Sequence, residues 1–289
     1  MIIQTPCLLC QRPMDMVELC RLSFGSIVRC SECGLVRVFP PRSVEHLAHL
    51  HDTPEFFDAP YFDRRDLSQA NFLTKNQAVL DLLVDGHTVR DAKILDIGCD
   101  TGSLLRVARD AFGMTGLGIE VSERAARIAR EEHGLEVMVG QVTEMRLPPA
   151  SFDFIVLVDV VEHVADPAAL LDKVHQLLRP GGKIYIDTAD CDALVNLIGI
   201  VLCRLSGDRG RRLLERRLFI PYHEFYFNQD TLAQLVRLSG FQITHQAKWE
   251  LPFNEIHGIL FKLGLLPVFA LQRVLGRQTL QRLVATKAQ

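Results

Sequence analysis

Short apolar runs alternate with amphipathic stretches through the middle of the chain. Five runs have the length of buried strands, and the stretches between them repeat apolar residues at helical spacing. The predicted strands cover residues 93–97, 115–119, 135–139, 153–158 and 183–187, and the predicted helices cover 103–112, 123–132 and a segment opened by Asp166 and Pro167. Because strands and helices alternate, we expect an α/β fold with a parallel sheet covered on both faces.

The pattern continues on both sides of this region. Asn228 is suited to cap a helix over 231–239, and strands are predicted at 241–249 and 281–286. Before the first core strand, the spacing of apolar residues predicts a helix over 71–83.

Two further apolar segments do not belong to the alternating pattern of strands and helices. Residues 191–222 begin with an apolar run and continue with an arginine-rich stretch, and residues 252–279 are apolar at helical spacing. We expect both near the carboxyl ends of the strands, where open α/β folds bind ligands. Three interpretations stay open: a lid over the site, core helices or a dimer interface, and a peripheral surface that contacts anionic lipid.

Composition and charge limit the class of protein. The chain has 289 residues and a formal net charge of −3, so a wholly basic nucleic-acid footprint is absent. The first residues lack the positive region that begins a signal peptide. No window has the roughly 18 uncharged apolar residues of a membrane-spanning helix. We therefore expect a cytoplasmic protein without a transmembrane segment.

Four of the eight cysteines form two C-x2-C pairs. The separation between Cys7-Cys10 and Cys30-Cys33 lies in the range of zinc ribbons. In a cytosolic protein, paired cysteines indicate metal ligands rather than disulfides. Four thiolates around Zn²⁺ leave no open coordination position, so the predicted role of the zinc is structural. The alternative is four buried free thiols.

These observations divide the chain into three parts. Residues 1–42 are predicted to form a zinc-ribbon module with short strands at 27–29 and 35–39. Residues 43–90 are predicted to form a mainly helical connector. Residues 91–289 are predicted to form the α/β domain, which carries the two insertions described above.

A Gly-rich turn joins the first core strand to its helix, in the sequence KILDIGCDTG. Such a turn lets a ligand approach bare backbone, with helix N–H groups directed at the ligand. Its glycines are Gly98 and Gly102. Glu120 stands at the end of the next apolar run, 22 residues after Gly98. That spacing is close to the distance of about 20 residues at which an acid reaches ribose hydroxyls in nucleotide-binding βαβ units.

On these residues the sequence resembles the class I S-adenosylmethionine-dependent methyltransferases. The segment PASFDFIVLVDVVEHVADP (149–167) resembles the fourth strand of that family and the loop after it. The segment LLRPGGKIYID (177–187) resembles the turn into the fifth strand. The resemblance implies a Rossmann-like, doubly wound sheet of seven strands. The N-terminal segment is similar to a bacterial subgroup with a zinc module, many members of which act in sugar, polysaccharide or secondary-metabolite pathways.

The resemblance also implies which residues bind the donor. Asp96 would orient its amino group, Glu120 would accept from both ribose hydroxyls, and Val121 would pack on adenine. The full set implied for S-adenosylmethionine is Asp96, Gly98, Cys99, Gly102, Glu120, Val121, Gln141 and Val142. The chain departs from the family at Gln141, where an acid is common, and at Asp100, where glycine is usual.

Methyl transfer from a sulfonium is an in-line displacement, so an enzyme mainly supplies proximity and alignment. A hydroxyl acceptor must also lose its proton, and histidine is the usual base. The resemblance implies an acceptor-side location for His163, after the fourth strand, and for His223, before a later core helix. Both are candidate catalytic residues. The alternative is that these histidines only fix loops by hydrogen bonding.

The leading interpretation is a methyltransferase that acts on a small molecule, such as a sugar, a sugar nucleotide, or a lipid-linked or quinone-like metabolite. The arginines within 204–217 would suit a phosphorylated or lipid-linked acceptor. Two alternatives stay open: an RNA methyltransferase whose zinc ribbon grips the nucleic acid, and a non-catalytic cofactor-binding protein of the same fold. Against RNA, residues 1–40 are modestly charged and lack a stacking aromatic cluster.

Overall fold

The computed structural model describes residues 2–43, 69–86, 89–205, 222–250 and 259–288. Its strands are β1 (Ile2–Pro6), β2 (Pro13–Leu22), β3 (Gly25–Cys30), β4 (Val36–Phe39), β5 (Lys93–Ile97), β6 (Thr115–Glu120), β7 (Glu136–Val139), β8 (Phe152–Val158), β9 (Leu178–Ala189), β10 (Phe225–Tyr226), β11 (Phe241–Trp249) and β12 (Leu280–Lys287). Its helices are α1 (Gln69–Val84), α2 (Ser103–Phe112), α3 (Glu123–His133), α4 (Pro167–Leu177), α5 (Leu194–Leu205), α6 (Gln229–Leu238) and α7 (Ile259–Leu275).

The larger sheet has seven strands in the order β11-β12-β9-β8-β5-β6-β7. Strands β5 to β9 pair in parallel, and β12 lies antiparallel between β9 and β11. The predicted seven-stranded, doubly wound α/β fold is therefore confirmed. Asp96 on β5 pairs with Gly118 on β6 and with Val156 on β8, so the carboxyl ends of these strands meet at one edge.

The helices begin where side chains satisfy the free amides of their first turns. Ser122 accepts from the amide of Ala125 at the start of α3. Asp166 caps α4, whose first residue is Pro167. Asn228 forms a capping box at α6. These three helix starts agree with the predictions from the sequence, because the capping signal is local.

The smaller sheet, here called the N-terminal sheet, has the order β1-β2-β3-β4-β10. Its last strand comes from the later part of the chain, since Phe225 pairs with Arg37 and Tyr226 with Val36. The sequence did not predict β1, β10 or the ten-residue β2. Leu35 of this region is buried in the same apolar cluster as Ile155 of the large sheet. The two sheets therefore share one core.

The two predicted insertions are described only in part. Helix α5 packs against the N-terminal sheet, because Cys203 is buried in one cluster with Leu19 and Cys20. The exposed face of α5 includes Val201 and Leu205. Residues 206–221 and 251–258 lie outside the described residues, as does the greater part of the connector, 44–68. Within the described ranges, no helix is both long enough and apolar enough to cross a lipid bilayer.

Candidate active site

The Gly-rich turn after β5 has the backbone that its sequence predicts. Gly98, Asp100 and Gly102 all adopt left-handed conformations, with φ of 73°, 52° and 79°. Asp tolerates this region better than most residues, which explains how Asp100 replaces the usual glycine. A Cβ added to Gly98 would lie 2.6 Å from Cγ2 of Val160, so this position needs glycine for space as well as for conformation.

Glu120 lies beside this turn and is buried. Its Oε1 accepts from the amide of Ser122 at 2.9 Å, and its Oε2 accepts from the amide of Asp100 at 2.8 Å. A carboxylate has about four acceptor positions, so the side chain keeps capacity for further donors. The turn and the acid, which the sequence linked only by spacing, are therefore in direct contact.

The electrostatics of this edge favour a cationic ligand. Asp96 is buried at the end of β5, and burial together with the charges of Glu120 and Asp100 holds the pKa of its carboxyl well above its usual range. Burial also raises the pKa of Glu120. A positive group brought among these acids would favour their ionised forms and would itself be stabilised.

The remaining predicted donor residues surround the same point. Cys99 is buried within the turn, and burial raises the pKa of its thiol above the usual range. Val121 is 40% exposed, which leaves a surface that a planar ring could cover. The amide of Gly140 donates to the carbonyl of Glu120, and this bond brings Gln141 and buried Val142 next to the acid.

A second cluster lies after β8. Glu162 is buried, His163 is half-buried, and both face His223 from the segment before β10. The rings of His163 and His223 meet edge to face with centroids 4.6 Å apart. Donor atoms of these three side chains all lie within 4.8 Å of one another, so the cluster also has a spacing that a divalent cation could bridge.

The hydrogen bond of His163 defines its tautomer. Its Nδ1 lies 3.0 Å from the carbonyl oxygen of Tyr222. A carbonyl only accepts, so Nδ1 carries the proton and Nε2 of the neutral ring carries the lone pair. This is the arrangement that a histidine base requires.

Sequence reasoning missed an acidic group on the same face of the large sheet as Asp96. Asp187, near the end of β9, accepts at Oδ2 from the Tyr185 hydroxyl at 2.8 Å and from the Trp249 indole at 3.1 Å. Burial and the charge of Asp159 raise the pKa of Asp187 to about 7. The end of a parallel strand was the available signal, since functional side chains collect there.

The four paired cysteines form one cluster, as predicted. All four Sγ atoms lie within 4.8 Å of one another. The Sγ atoms of Cys7 and Cys33 are 3.4 Å apart, and those of Cys10 and Cys30 are 3.8 Å apart. Four thiolates at about 2.3 Å from Zn²⁺ in a tetrahedron would be about 3.8 Å apart, so the cluster has the size of a zinc site.

The two C-x2-C turns also share one backbone geometry. The amide of Gln11 donates to the carbonyl of Cys7, and the amide of Gly34 donates to the carbonyl of Cys30. Gln11 and Gly34 both adopt left-handed φ values, 54° and 78°. This pseudo-symmetry directs each pair of thiols to a common point.

Comparison with known proteins identifies the family. Residues 63–246, more than half of the chain, match the family described as "Methyltransferase domain". The chain belongs to this methyltransferase family. This match confirms the resemblance to class I S-adenosylmethionine-dependent methyltransferases. In the sequence, that resemblance was based on the Gly-rich turn and Glu120.

Curated relatives and solved structures agree with this family. Ubiquinone biosynthesis O-methyltransferase of Pseudomonas aeruginosa (strain LESB58) is 31% identical over 115 residues, which cover 38% of this chain and 49% of that protein. The protein of the same name from Pseudomonas putida (strain W619) is 31% identical over 159 residues, which cover 52% of this chain and 65% of that protein. The chain thus spans about half the length of the first of these curated relatives.

Among solved structures, Haemonchus contortus phosphoethanolamine N-methyltransferase 2 in complex with S-adenosyl-L-methionine superposes with a TM-score of 0.60 at 18% identity, over 88% of this chain and 62% of that chain. An S-adenosylmethionine-dependent methyltransferase from Thermotoga maritima superposes with a TM-score of 0.57 at 20% identity, over 84% of this chain and 100% of that chain. At these identities the likeness establishes the fold.

Proposed function

We propose that this chain transfers a methyl group from S-adenosylmethionine to a hydroxyl of a small, quinone-like molecule. The observation that carries the donor assignment is the contact between the left-handed turn at Gly98–Gly102 and the buried carboxylate of Glu120. A nucleoside sulfonium fits this edge because the edge offers bare backbone, a ribose acceptor and several carboxylates.

Each donor residue has a distinct task in this proposal. Asp96 binds the amino group of the methionine part, and the ammonium would lower the raised pKa of its carboxyl. Glu120 accepts from the two ribose hydroxyls. Val121 covers one face of adenine, while Gln141 accepts from the adenine amino group through its amide oxygen and Val142 lines the pocket. Gly98, Cys99 and Gly102 bring their backbone against the tail and the ribose.

The cluster of Glu162, His163 and His223 accepts the proton that the acceptor hydroxyl must lose. The Nε2 lone pair of His163 takes the proton of the acceptor hydroxyl as its oxygen attacks the methyl carbon. The C–S bond breaks as the C–O bond forms, and S-adenosylhomocysteine leaves as a neutral thioether. His223 packs edge to face on His163 and restricts its ring to one orientation.

The acceptor class rests on the curated relatives, whose names specify O-methylation in ubiquinone biosynthesis. Arg204, the described member of the arginine-rich stretch, donates to the carbonyl of Leu19 at 2.7 Å. That contact gives Arg204 a packing task, and it weakens the argument for a phosphorylated acceptor. A lipid-linked acceptor stays a prediction that depends on residues outside the described part of the chain.

The RNA alternative is less well supported. Arg37 and Arg42 are nearly buried, and each forms an ion pair with Glu224. Arginines held in this way do not offer their charge to a phosphate backbone. We propose instead that the four cysteines bind one structural Zn²⁺ and that the metal stabilises the N-terminal sheet.

A transfer assay with labelled S-adenosylmethionine tests the proposal. The acceptor panel contains a hydroxyquinol, a catechol, a monophenol, a sugar nucleotide and a short RNA. We expect label on the hydroxyquinol or catechol, formed together with S-adenosylhomocysteine. Transfer to the sugar nucleotide or the RNA alone would replace the proposed acceptor class, and donor binding without any transfer would favour a non-catalytic protein.

A further inference from the structure

We infer that Glu224, held by two arginines of the N-terminal region, is the positioning residue that orders the His163–His223 pair for methyl transfer. This inference rests on the proposed function, because it assigns the two histidines to the acceptor side. It gives the N-terminal region, which supplies Arg37 and Arg42, a task in the reaction that is distinct from nucleic-acid binding.

Glu224 has no exposed side-chain surface and forms a two-sided ion pair. Arg37 on β4 donates to Oε1 at 2.7 Å, and Arg42 donates through Nε to Oε2 at 3.0 Å. Only 11% of each arginine side chain is exposed. Arg37 also lies over the ring of Phe225, with its guanidinium carbon 4.7 Å from the centroid. Charges withdrawn from water in this way need fixed partners, so the three side chains hold one geometry.

The backbone around Glu224 connects the same elements. Its carbonyl accepts from the amide of Val38 at 3.0 Å, which extends the pairing with β4. The amides of Glu224 and Phe225 both donate to the carbonyl of Glu162, at 2.8 and 3.1 Å. The Nη2 atom of Arg42 donates to the carbonyl of His223. The segment before β10 is therefore held on one side by the N-terminal region and on the other by the turn after β8.

This arrangement fixes the proton on His163. The carbonyl that accepts from Nδ1 of His163 belongs to Tyr222, two residues before Glu224. If the segment moved, that carbonyl would leave Nδ1, and the ring would be free to take the other tautomer. Nε2 would then carry the proton and could not act as a base. Glu224 thus acts on the reaction through the backbone, and it touches neither donor nor acceptor.

The test compares Glu224→Gln and Arg42→Lys with Arg12→Gln in the full chain. Lysine keeps the charge of Arg42 but replaces the two separate donor atoms, Nε on Glu224 and Nη2 on the His223 carbonyl, by a single ammonium nitrogen. Arg12 is the control, because its ion pair with Glu32 in the same region is 3.9 Å long and exposed. Three quantities are measured: kcat and KM with the acceptor found in the panel, the Kd for S-adenosylmethionine, and the ¹⁵N signals of labelled histidines, with His163→Gln identifying His163.

We expect kcat to fall about tenfold or more in both test variants, while the donor Kd stays within about twofold and the His163 signal changes from the Nδ1–H form to a mixture. The control should match the wild type. The inference is overturned if kcat falls while the His163 signal is unchanged, if donor affinity falls in the same proportion as kcat, or if neither variant changes kcat. Should Glu224→Gln not fold, Arg42→Lys alone decides between these outcomes. If the wild type transfers no methyl group, the proposed function fails, and the His163 signal still tests the positioning.

Discussion

The backbone amide of Asp100 donates to Oε2 of Glu120 across 2.8 Å. This bond joins the turn after β5 to the acid at the end of β6, so the two parts of the predicted donor site hold one another in place. Asp100 reaches this position through a left-handed backbone, with φ of 52°. The departure from glycine at this position is therefore compatible with a formed site.

Replacing Glu120 tests the donor site directly. In Glu120→Gln, one amide nitrogen must face the amide of Asp100 or that of Ser122, and two donors then oppose each other. The loss of charge-assisted bonds to the ribose adds to this effect. We expect affinity for S-adenosylmethionine to fall about 10- to 100-fold, which corresponds to roughly 1.5–3 kcal/mol. Calorimetry measures the change.

The matched control for this variant is Glu123→Gln. Glu123 lies three residues further on in α3, and its side chain is 69% exposed beside Arg130. An exposed pair of this kind contributes little, so donor affinity should stay within about twofold. Equal affinities for Glu120→Gln and the wild type would remove Glu120 from the proposed site.

Zinc content tests the four-cysteine cluster. We expect the purified chain to carry one zinc ion, and Cys33→Ser to lose it and to unfold at a lower temperature, because binding energy at such sites is folding energy. Elemental analysis and thermal unfolding check both effects. Cys20→Ser is the control, since Cys20 is buried in the same sheet but lies outside the cluster. A chain that folds with equal stability after chelation would contradict a structural metal here.

Two zinc ions per chain would point to a second ion at Glu162, His163 and His223.

His163→Gln separates chemistry from donor binding. Glutamine can keep a hydrogen bond to the Tyr222 carbonyl but cannot accept a proton, so kcat should fall about 10²- to 10⁴-fold. The donor Kd should change by less than about twofold. His245→Gln is the control, because His245 is an exposed residue of β11. A His163→Gln enzyme with unchanged kcat would rule out a base at this position.

The pH dependence of stability tests the environment of Asp187. The pKa of this carboxyl rises from its ordinary 3.8 to about 7, chiefly through burial, so folding penalises the ionised form. The penalty is absent below pH 3.8, grows as the pH rises towards 7 and is constant above it. Asp187 interacts with the charged or titratable groups of Asp159, Lys75, Tyr185, Arg282 and Glu162.

Asp187→Asn removes this titration and keeps an oxygen that can accept from Tyr185 and Trp249. The free energy of unfolding of the variant, relative to the wild type, should therefore increase between pH 4 and 7, by up to about 4 kcal/mol. Denaturant unfolding at several pH values measures the difference. The exposed Asp172 serves as control through Asp172→Asn. A difference that does not vary with pH would contradict the raised pKa.

The sequence predicted the large sheet well because its signals are local. Strand β5 and helix α2 were predicted with the bounds that the structure has, since a buried run, a Gly turn and an amphipathic helix follow directly. Strand β9 is longer than the predicted 183–187, because the Pro-Gly-Gly segment read as a turn is an irregularity within the strand.

The N-terminal sheet was harder to predict. In β2 a register shift between Glu18 and Cys20 buries both Leu19 and Cys20, so the alternation that indicates a strand is interrupted. Strand β10 has two residues and exists through its pairing with β4, nearly 190 residues earlier. No local pattern records such a pairing.

The candidate site, like the fold, was predicted from the sequence only in part. The donor residues follow from motifs at strand ends, and the structure brings Asp96, the turn and Glu120 together. His163 and His223 were each named from the sequence, but their contact was not, because they lie far apart in the chain. His163 and Tyr222, the residue before His223, are 59 positions apart. The ion pairs of Glu224 join residues 182 and 187 positions apart, and only the fold reveals them.

Calorimetric titration of S-adenosylmethionine into the wild-type chain is the decisive test of the donor site at Glu120. We expect saturable binding at one site per chain, with S-adenosylhomocysteine competing for that site and Glu120→Gln weakening the binding of both compounds. Absence of binding by either compound up to about 1 mM, in a chain that is folded and carries its zinc, would contradict this expectation.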